Sequence, residues 1–301
     1  MKSRHNSVWT AGLFCLVVAG FGTAFSLNAT AVTAIPPLWV AAIRAIVACM
    51  IFAGLVLATG RSVGLKARDV STYFVIGATT GIVPFFLLAW GQIHVPSSLA
   101  GVLFASVPLM TVFISWRIFS GPRPSTGRIV GAALGLTGVA IAFPFAASTS
   151  TPVIMGAGAI LLAAVSYAFG GVFMLRARDY DPFSLMTGQF FVGAIVLTVA
   201  AAALADPLPE TDQTNAYVAA LVVGATGSAL PLACFLLLLR RTDAVIASSI
   251  TFFVPFVAIA VGVFALGETV TTRLFVGLAI CVTGSLLVSR PDGAVAVQTR
   301  G

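Results

Sequence analysis

The stretch Gly77-Ala-Thr-Thr-Gly-Ile-Val-Pro84 returns as Gly224-Ala-Thr-Gly-Ser-Ala-Leu-Pro231, 147 residues later. The same offset carries Pro108 of Phe104-Ala-Ser-Val-Pro108 onto Pro255 of Thr251-Phe-Phe-Val-Pro255. With one residue dropped in between, Gly131 and Gly138 fall on Gly277 and Gly284. Earlier in each half, Pro37 with Arg44 falls on Pro182 with Gln189. A single glycine match means little in a chain with 29 glycines, but a run of prolines and glycines in one register marks an internal duplication. The two copies are expected over residues 8–147 and 151–290.

Composition says what each copy is made of. Of 301 residues, 59% are hydrophobic and 8% charged, and the mean hydropathy is +1.08. A soluble domain carries about a quarter charged residues to hydrate its surface; here most of the surface must face lipid. Apolar runs of about 20 residues, enough to cross a hydrocarbon core roughly 30 Å thick, occur ten times. They lie near 8–27, 37–59, 70–92, 97–119, 128–145, 153–175, 182–204, 217–239, 244–266 and 273–288. The expected fold is an all-α integral membrane protein of ten transmembrane helices, five per copy. An odd number of spans forces the second copy to insert upside down. Inverted repeats with proline-bearing helices that meet near the bilayer midplane are a common plan for secondary transporters.

Orientation follows from Lys and Arg, which stay preferentially on the cytoplasmic side. Fourteen of the sixteen basic residues fall at one set of helix ends: Lys2, Arg4, Arg61, Lys66, Arg68, Arg117, Arg123, Arg128, Arg176, Arg178, Arg240, Arg241, Arg290 and Arg300. The opposite loops hold Arg273 with Asp206, Glu210, Asp212 and Glu268, and Arg44 lies inside a span. Both termini are therefore expected in the cytoplasm. Met1-Lys-Ser-Arg ahead of an apolar run has the outline of a signal peptide, but the run is long, and its removal would spoil the charge asymmetry. It is read as the first span.

Three features together resemble the EamA family of the drug/metabolite transporter superfamily. They are two copies of a five-helix unit, a mid-helix proline in the fourth helix of each, and a Leu266-Gly267-Glu268-Thr269 turn before a glycine-bearing last helix. The stretch Val95-Pro96-Ser97-Ser98-Leu99-Ala100 leading to Pro108 is similar to the family's first repeat. The first copy departs from the pattern at Gly121-Pro122-Arg123, where the Gly-Glu turn would sit. The resemblance implies a ten-helix carrier of the bacterial inner membrane, often an exporter of amino acids or related metabolites. A multidrug exporter of the same superfamily is the alternative, and a channel-like facilitator a more distant one.

Charged groups inside spans are costly and mark function. Arg44, about 10 Å into its helix at 1.5 Å per residue, is expected to meet a substrate carboxylate with its planar fork, or to snorkel to the headgroups. Gln189 sits at the repeat-related depth, so the two are expected to share a polar surface. Trp90, Tyr167, Asn28, Ser106 and Thr251 are further candidates for the substrate path, with Ser166 and Ser249. Pro108 and Pro255 are expected as hinges, and Pro84 and Pro231 as interruptions that free backbone carbonyls. His94, at the end of the third span, is the candidate for proton coupling. No span contains Asp or Glu, which favours facilitated diffusion or exchange.

The other chemistries lack their residues. Cys15, Cys49, Cys234 and Cys281 show no metal or redox spacing. With two histidines, His5 and His94, and no HExxH or GxSxG, neither a catalytic set nor a metal cofactor is expected. The net charge of +7 is spread between apolar runs and makes no nucleic-acid surface. The expected partners are a small-molecule substrate and the lipid bilayer. Gly127-xxx-Gly131-xxx-Gly135, with Gly277 and Gly284, permits close helix approach; internal packing and a homodimer both remain open readings of it.

Overall fold

The computed structural model describes residues 2–64, 66–119, 123–143, 150–177, 179–210, 212–239 and 244–289. Gly121, Pro122, Arg178, Arg240, Arg241, Arg290 and Arg300 lie outside the described residues, as do the expected repeat ends at 147 and 290. So do the side chains of Lys2, Arg4, His5 and Ser249.

Among the described residues there are ten helices: α1 (Lys2–Ala31), α2 (Pro37–Ala58), α3 (Arg68–Gly91), α4 (Ser97–Arg117), α5 (Thr126–Ala142), α6 (Thr151–Ala177), α7 (Pro182–Leu204), α8 (Thr214–Leu238), α9 (Ala244–Leu266) and α10 (Thr272–Ser289). Eight are long and apolar enough to span a membrane, and α5 and the Ile250–Leu266 part of α9 are shorter apolar helices. Proline at the first position starts both α2 and α7, where its missing N–H costs nothing. Large apolar side chains such as Phe74, Phe191, Phe253 and Phe264 point outward; such a surface is stable only against hydrocarbon.

The packing itself repeats. α1 lies on α8 and α9, and its counterpart α6 lies on α3 and α4; α2 meets α7, α4 meets α9, and α5 meets α10. Exchanging the two copies leaves this list unchanged. The tightest seam joins α5 to α10. Gly131 faces the Gly284 carbonyl, Gly138 faces the Gly277 carbonyl and the Cys281 amide, and Gly284 faces Gly131 and Gly135. These five glycines are buried between α5 and α10 of one chain. Only Gly127, at the exposed start of α5, lies free of the seam.

The repeated octapeptide forms the same irregularity in both copies. α3 and α8 each widen by one residue, over Ala78–Ile82 and Ala225–Ala229, so that Val83 N–H reaches the Ala78 carbonyl and Leu230 N–H reaches the Ala225 carbonyl. Pro84 and Pro231 follow directly. Proline's ring clashes with the carbonyl four residues back, and a wide π turn just ahead of it relieves the clash. Gly77 and Gly224 open these stretches because each crosses a neighbour closely. A Cβ on Gly77 would lie 2.8 Å from the Gln189 carbonyl oxygen, and one on Gly224 3.1 Å from that of Arg44.

The fourth helices differ. α4 breaks into Ser97–Phe104 and Val107–Arg117, with Pro108 in the first turn of the second piece. α9 runs unbroken through Pro255.

At one end of the bundle, Arg61 after α2 donates to Asp181 ahead of α7 at 2.6 Å. Asp181 also accepts from the Ser184 amide at 3.0 Å, capping α7. Partial burial pushes the Asp181 carboxyl up, but the Ser184 amide and hydroxyl and the Arg61 guanidinium outweigh it and hold the group below the usual carboxylate range. A depressed carboxylate stabilises the fold above its unfolded-state value near 4 and loses that contribution as pH falls further. Asp181→Asn is expected to cost less than about 1 kcal/mol at neutral pH, because Asn still caps α7 and only the solvent-screened ion pair and the charge on the cap are lost. Thermal melts in detergent should show the gap between wild type and variant closing below about pH 4. A gap that persists there would contradict this account.

Candidate functional site

Arg44 reaches inward from α2 and is 7% exposed. Its Nε donates to Ser228 Oγ at 2.6 Å and its Nη2 to the Gly227 carbonyl at 3.2 Å, both in the wide turn of α8. Gly227 lies inside the wide turn just ahead of Pro231, where the turn and the proline together interrupt the regular helical hydrogen bonding. The guanidinium stacks 4.0 Å above the Phe85 ring of α3, a cation–π contact that favours keeping the charge inside the bundle. Among the described residues no hydrogen bond is made to Nη1, although Tyr167 of α6 lies near enough to interact with the guanidinium electrostatically. The fork edge formed by Nη1 and the second Nη2 hydrogen is thus free of hydrogen bonds within the described chain.

Gln189 plays the corresponding part from α7. Its Oε1 accepts from Thr80 Oγ1 at 3.0 Å, in the wide turn of α3, and its Nε2 lies 3.0 Å from Met186 Sδ. The expected shared polar surface takes a different form. Arg44 and Gln189 do not bond to each other; each binds the wide turn of the opposite copy. What joins them is aromatic: Phe85, under Arg44, stacks on Phe190, next to Gln189. The α3 turn has a further support. In the wide register Pro84 would donate to the Thr79 carbonyl; having no N–H it cannot, and Ser166 of α6 donates there instead at 3.0 Å.

The remaining candidates divide. Tyr167, on α6 like Ser166, sits edge-on to Phe104, which in turn meets Phe25. Tyr167 is partly accessible and lies close enough to Arg44 for the two to interact electrostatically. Thr251 shares a face of α9 with buried Pro255, Ala258 and Gly262, yet is itself exposed. Ser106 is fully buried and bonds its own helix at the Leu103 carbonyl, bridging the break in α4. Trp90 and His94 stack edge to face, 5.4 Å between centroids, at the end of α3. Asn28 lies apart from Arg44: its Nδ2 donates to Gln92 Oε1 at 2.7 Å, and Gln92 Nε2 to the Phe25 carbonyl at 2.8 Å. The Asn28 Oδ1 is buried without a partner. Among the described residues no group of three or more His, Cys, Asp and Glu could hold a metal.

One residue was passed over as a member of the site. Glu268, in the turn between α9 and α10, folds back so that Oε1 accepts from the Ser97 amide at 2.7 Å and Oε2 from the Ser98 amide at 2.9 Å. The signal was present in Leu266-Gly267-Glu268-Thr269 as a motif, but nothing in its spacing showed where the carboxylate would go.

Two inverted halves, each with a widened third helix gripped from the other half, form a two-copy architecture, and a family model finds both copies. The model of the EamA-like transporter family matches residues 8–143 and again 154–290. The chain belongs to the EamA-like transporter family. This EamA chain is similar to the uncharacterized inner membrane transporter YedA of Escherichia coli (strain K12), at 26% identity over 292 residues, 96% of this chain and 93% of YedA. It is equally similar to the uncharacterized transporter YvbV of Bacillus subtilis (strain 168), at 26% over 291 residues, 95% of this chain and 93% of YvbV. A probable terminal-alkyne amino-acid exporter of Streptantibioticus cattleyicolor is 26% identical over 229 residues, 75% of each chain. A crystal structure superposes with a TM-score of 0.69 at 17% identity, covering 94% of the EamA chain and 96% of its own; it speaks for the fold. The EamA chain is thus a multi-pass membrane protein whose activity is small-molecule transport.

Proposed function

We propose that this transporter moves small carboxylate-bearing metabolites, amino acids or related compounds, across the bacterial inner membrane by alternating access, in the direction of export. The observation that carries the reading is the open fork of Arg44. A buried guanidinium fixed on one edge by Ser228 and Gly227 has a second edge available for a carboxylate, and the Phe85 ring keeps it from swinging away. Because that first edge holds a segment of the opposite copy, substrate on the second edge would feel the relative position of the halves. The similar amino-acid exporter supports the substrate class, the YedA name supports the inner membrane, and the basic helix ends favour cytoplasmic termini.

The test is counterflow of radiolabelled amino acids in proteoliposomes, with and without a pH gradient. Saturable counterflow that ignores the gradient is the expected result. Flux that fails to saturate would replace a carrier with a channel. Flux driven by the gradient would overturn the uncoupled mechanism and bring His94 forward. No flux of any amino acid would remove the substrate class.

A further inference from the structure

The contacts of Glu268 single out one piece of the molecule. The first half of α4, Ser97–Phe104, is a short helix whose residues Ser97 to Leu103 are all buried. It ends at the break around Ser106, ahead of Pro108. Its other end is held by Glu268, one carboxylate oxygen on each of its first two amides. A carboxylate also suits the partial positive charge of a helix N-terminus.

The surroundings are shaped for this carboxylate. Gly267 turns the chain out of α9 in the left-handed conformation, φ +66°, which aims Glu268 back at the bundle. A Cβ on Gly262 would stand 2.6 Å from Glu268 Oε2 and 2.9 Å from Ser97 Oγ. At the same end of the molecule α1 is tied to α4 by Ser26 Oγ and Ser97 Oγ, 3.2 Å apart, and to α3 by Asn28 and Gln92. Repeat register pairs Gly267 with Gly121, and so Glu268 with Pro122, a residue that carries no carboxylate. By sequence, the second copy supplies this contact to the first, and the first has nothing equivalent to give back.

We infer that Glu268 is a positioning residue for transport: it latches the Ser97–Phe104 half-helix and so holds shut the membrane face poor in basic residues. The half-helix swings on the Ser106–Pro108 break when the latch releases. This rests on the alternating-access reading, but its test needs no substrate. If the substrate class is wrong, the latch can still be right.

The experiment uses a chain whose four native cysteines are replaced, with a single reporter at Ala100→Cys, buried one turn into the half-helix, or at Ala177→Cys, buried at the opposite end of the bundle. A membrane-impermeant maleimide is applied from each side, using right-side-out and inverted vesicles. Glu268→Gln is expected to raise the labelling rate at position 100 roughly tenfold, equivalent to about 1.4 kcal/mol in the closed-to-open equilibrium, and to leave position 177 unchanged. Glu268→Asp keeps the charge but is too short to span both amides, and should give an intermediate rate. Gly262→Ala, which displaces the carboxylate without removing it, should act in the same direction and carries the test if Glu268→Gln does not fold. Unchanged labelling at position 100 in the folded variants would overturn the inference. So would an equal rise at position 177, because general loosening would then explain both.

Discussion

Arg44→Gln is expected to insert and fold normally yet to lose at least about 100-fold of carboxylate-dependent exchange. Glutamine is the residue found at the repeat-related position. Gln189 there bonds a wide turn through its amide without any charge. An amide at position 44 can still donate toward the Gly227 carbonyl, so the structural half of the arginine's work is retained. The charge and the fork are gone. Two charge-assisted bonds to a carboxylate are each worth about 1.5–3 kcal/mol, and each 1.4 kcal/mol is a factor of about ten. Arg44→Lys should fall between, because it retains the charge as a single point and loses the planar pair. Uptake in proteoliposomes, normalised to monodisperse protein from size exclusion, makes the comparison. Normal exchange by Arg44→Gln would show that the guanidinium serves the fold alone.

Gly284→Ala is expected to be among the most destabilising alanine substitutions in the chain. The new Cβ would lie 2.5 Å from the Gly131 carbonyl oxygen and 2.6 Å from Gly135 Cα. These are backbone atoms of a helix, unable to turn aside as a side-chain tip can, so α5 and α10 must separate. Overpacking of this kind costs about 1–3 kcal/mol, and separation also loosens the contacts of Gly131 and Gly138 along the same seam. Gly127→Ala is the matched control: it lies on the same helix, and its Cβ would have Ser125 Oγ at 4.0 Å as its neighbour. Thermal melts in detergent should rank Gly284→Ala far below Gly127→Ala. Equal melting temperatures would refute the seam as a source of stability.

The octapeptide pair announced the duplication because glycine and proline are placed by backbone constraints, which survive while apolar residues interchange freely. Gly77 and Gly224 are the clear case, each pressed against the carbonyl of the polar residue on a crossing helix. Arg44 and Gln189 were legible as important, since burying such groups demands a reason, but their partners were not. Ser228 is 184 residues from Arg44, and Thr80 is 109 from Gln189; no local pattern encodes a pairing across copies. The wide turns were hidden because a π turn and a plain proline kink share one sequence signature. The same ambiguity covered Pro108 and Pro255, equivalent in register, of which one breaks its helix and the other does not. Glu268 read as a loop carboxylate because only the folded chain brings the α4 N-terminus to it.

The seam between α5 and α10 also has a meaning in time. The chain is made from its N-terminus, so the glycine face of α5 enters the bilayer long before the helix that covers it. The same holds for α2, which waits for α7, and for α1, which waits for α8 and α9. Five helices must therefore rest among lipids with their matching surfaces unfilled. The last of the ten described helices to leave the ribosome is the one that closes the bundle.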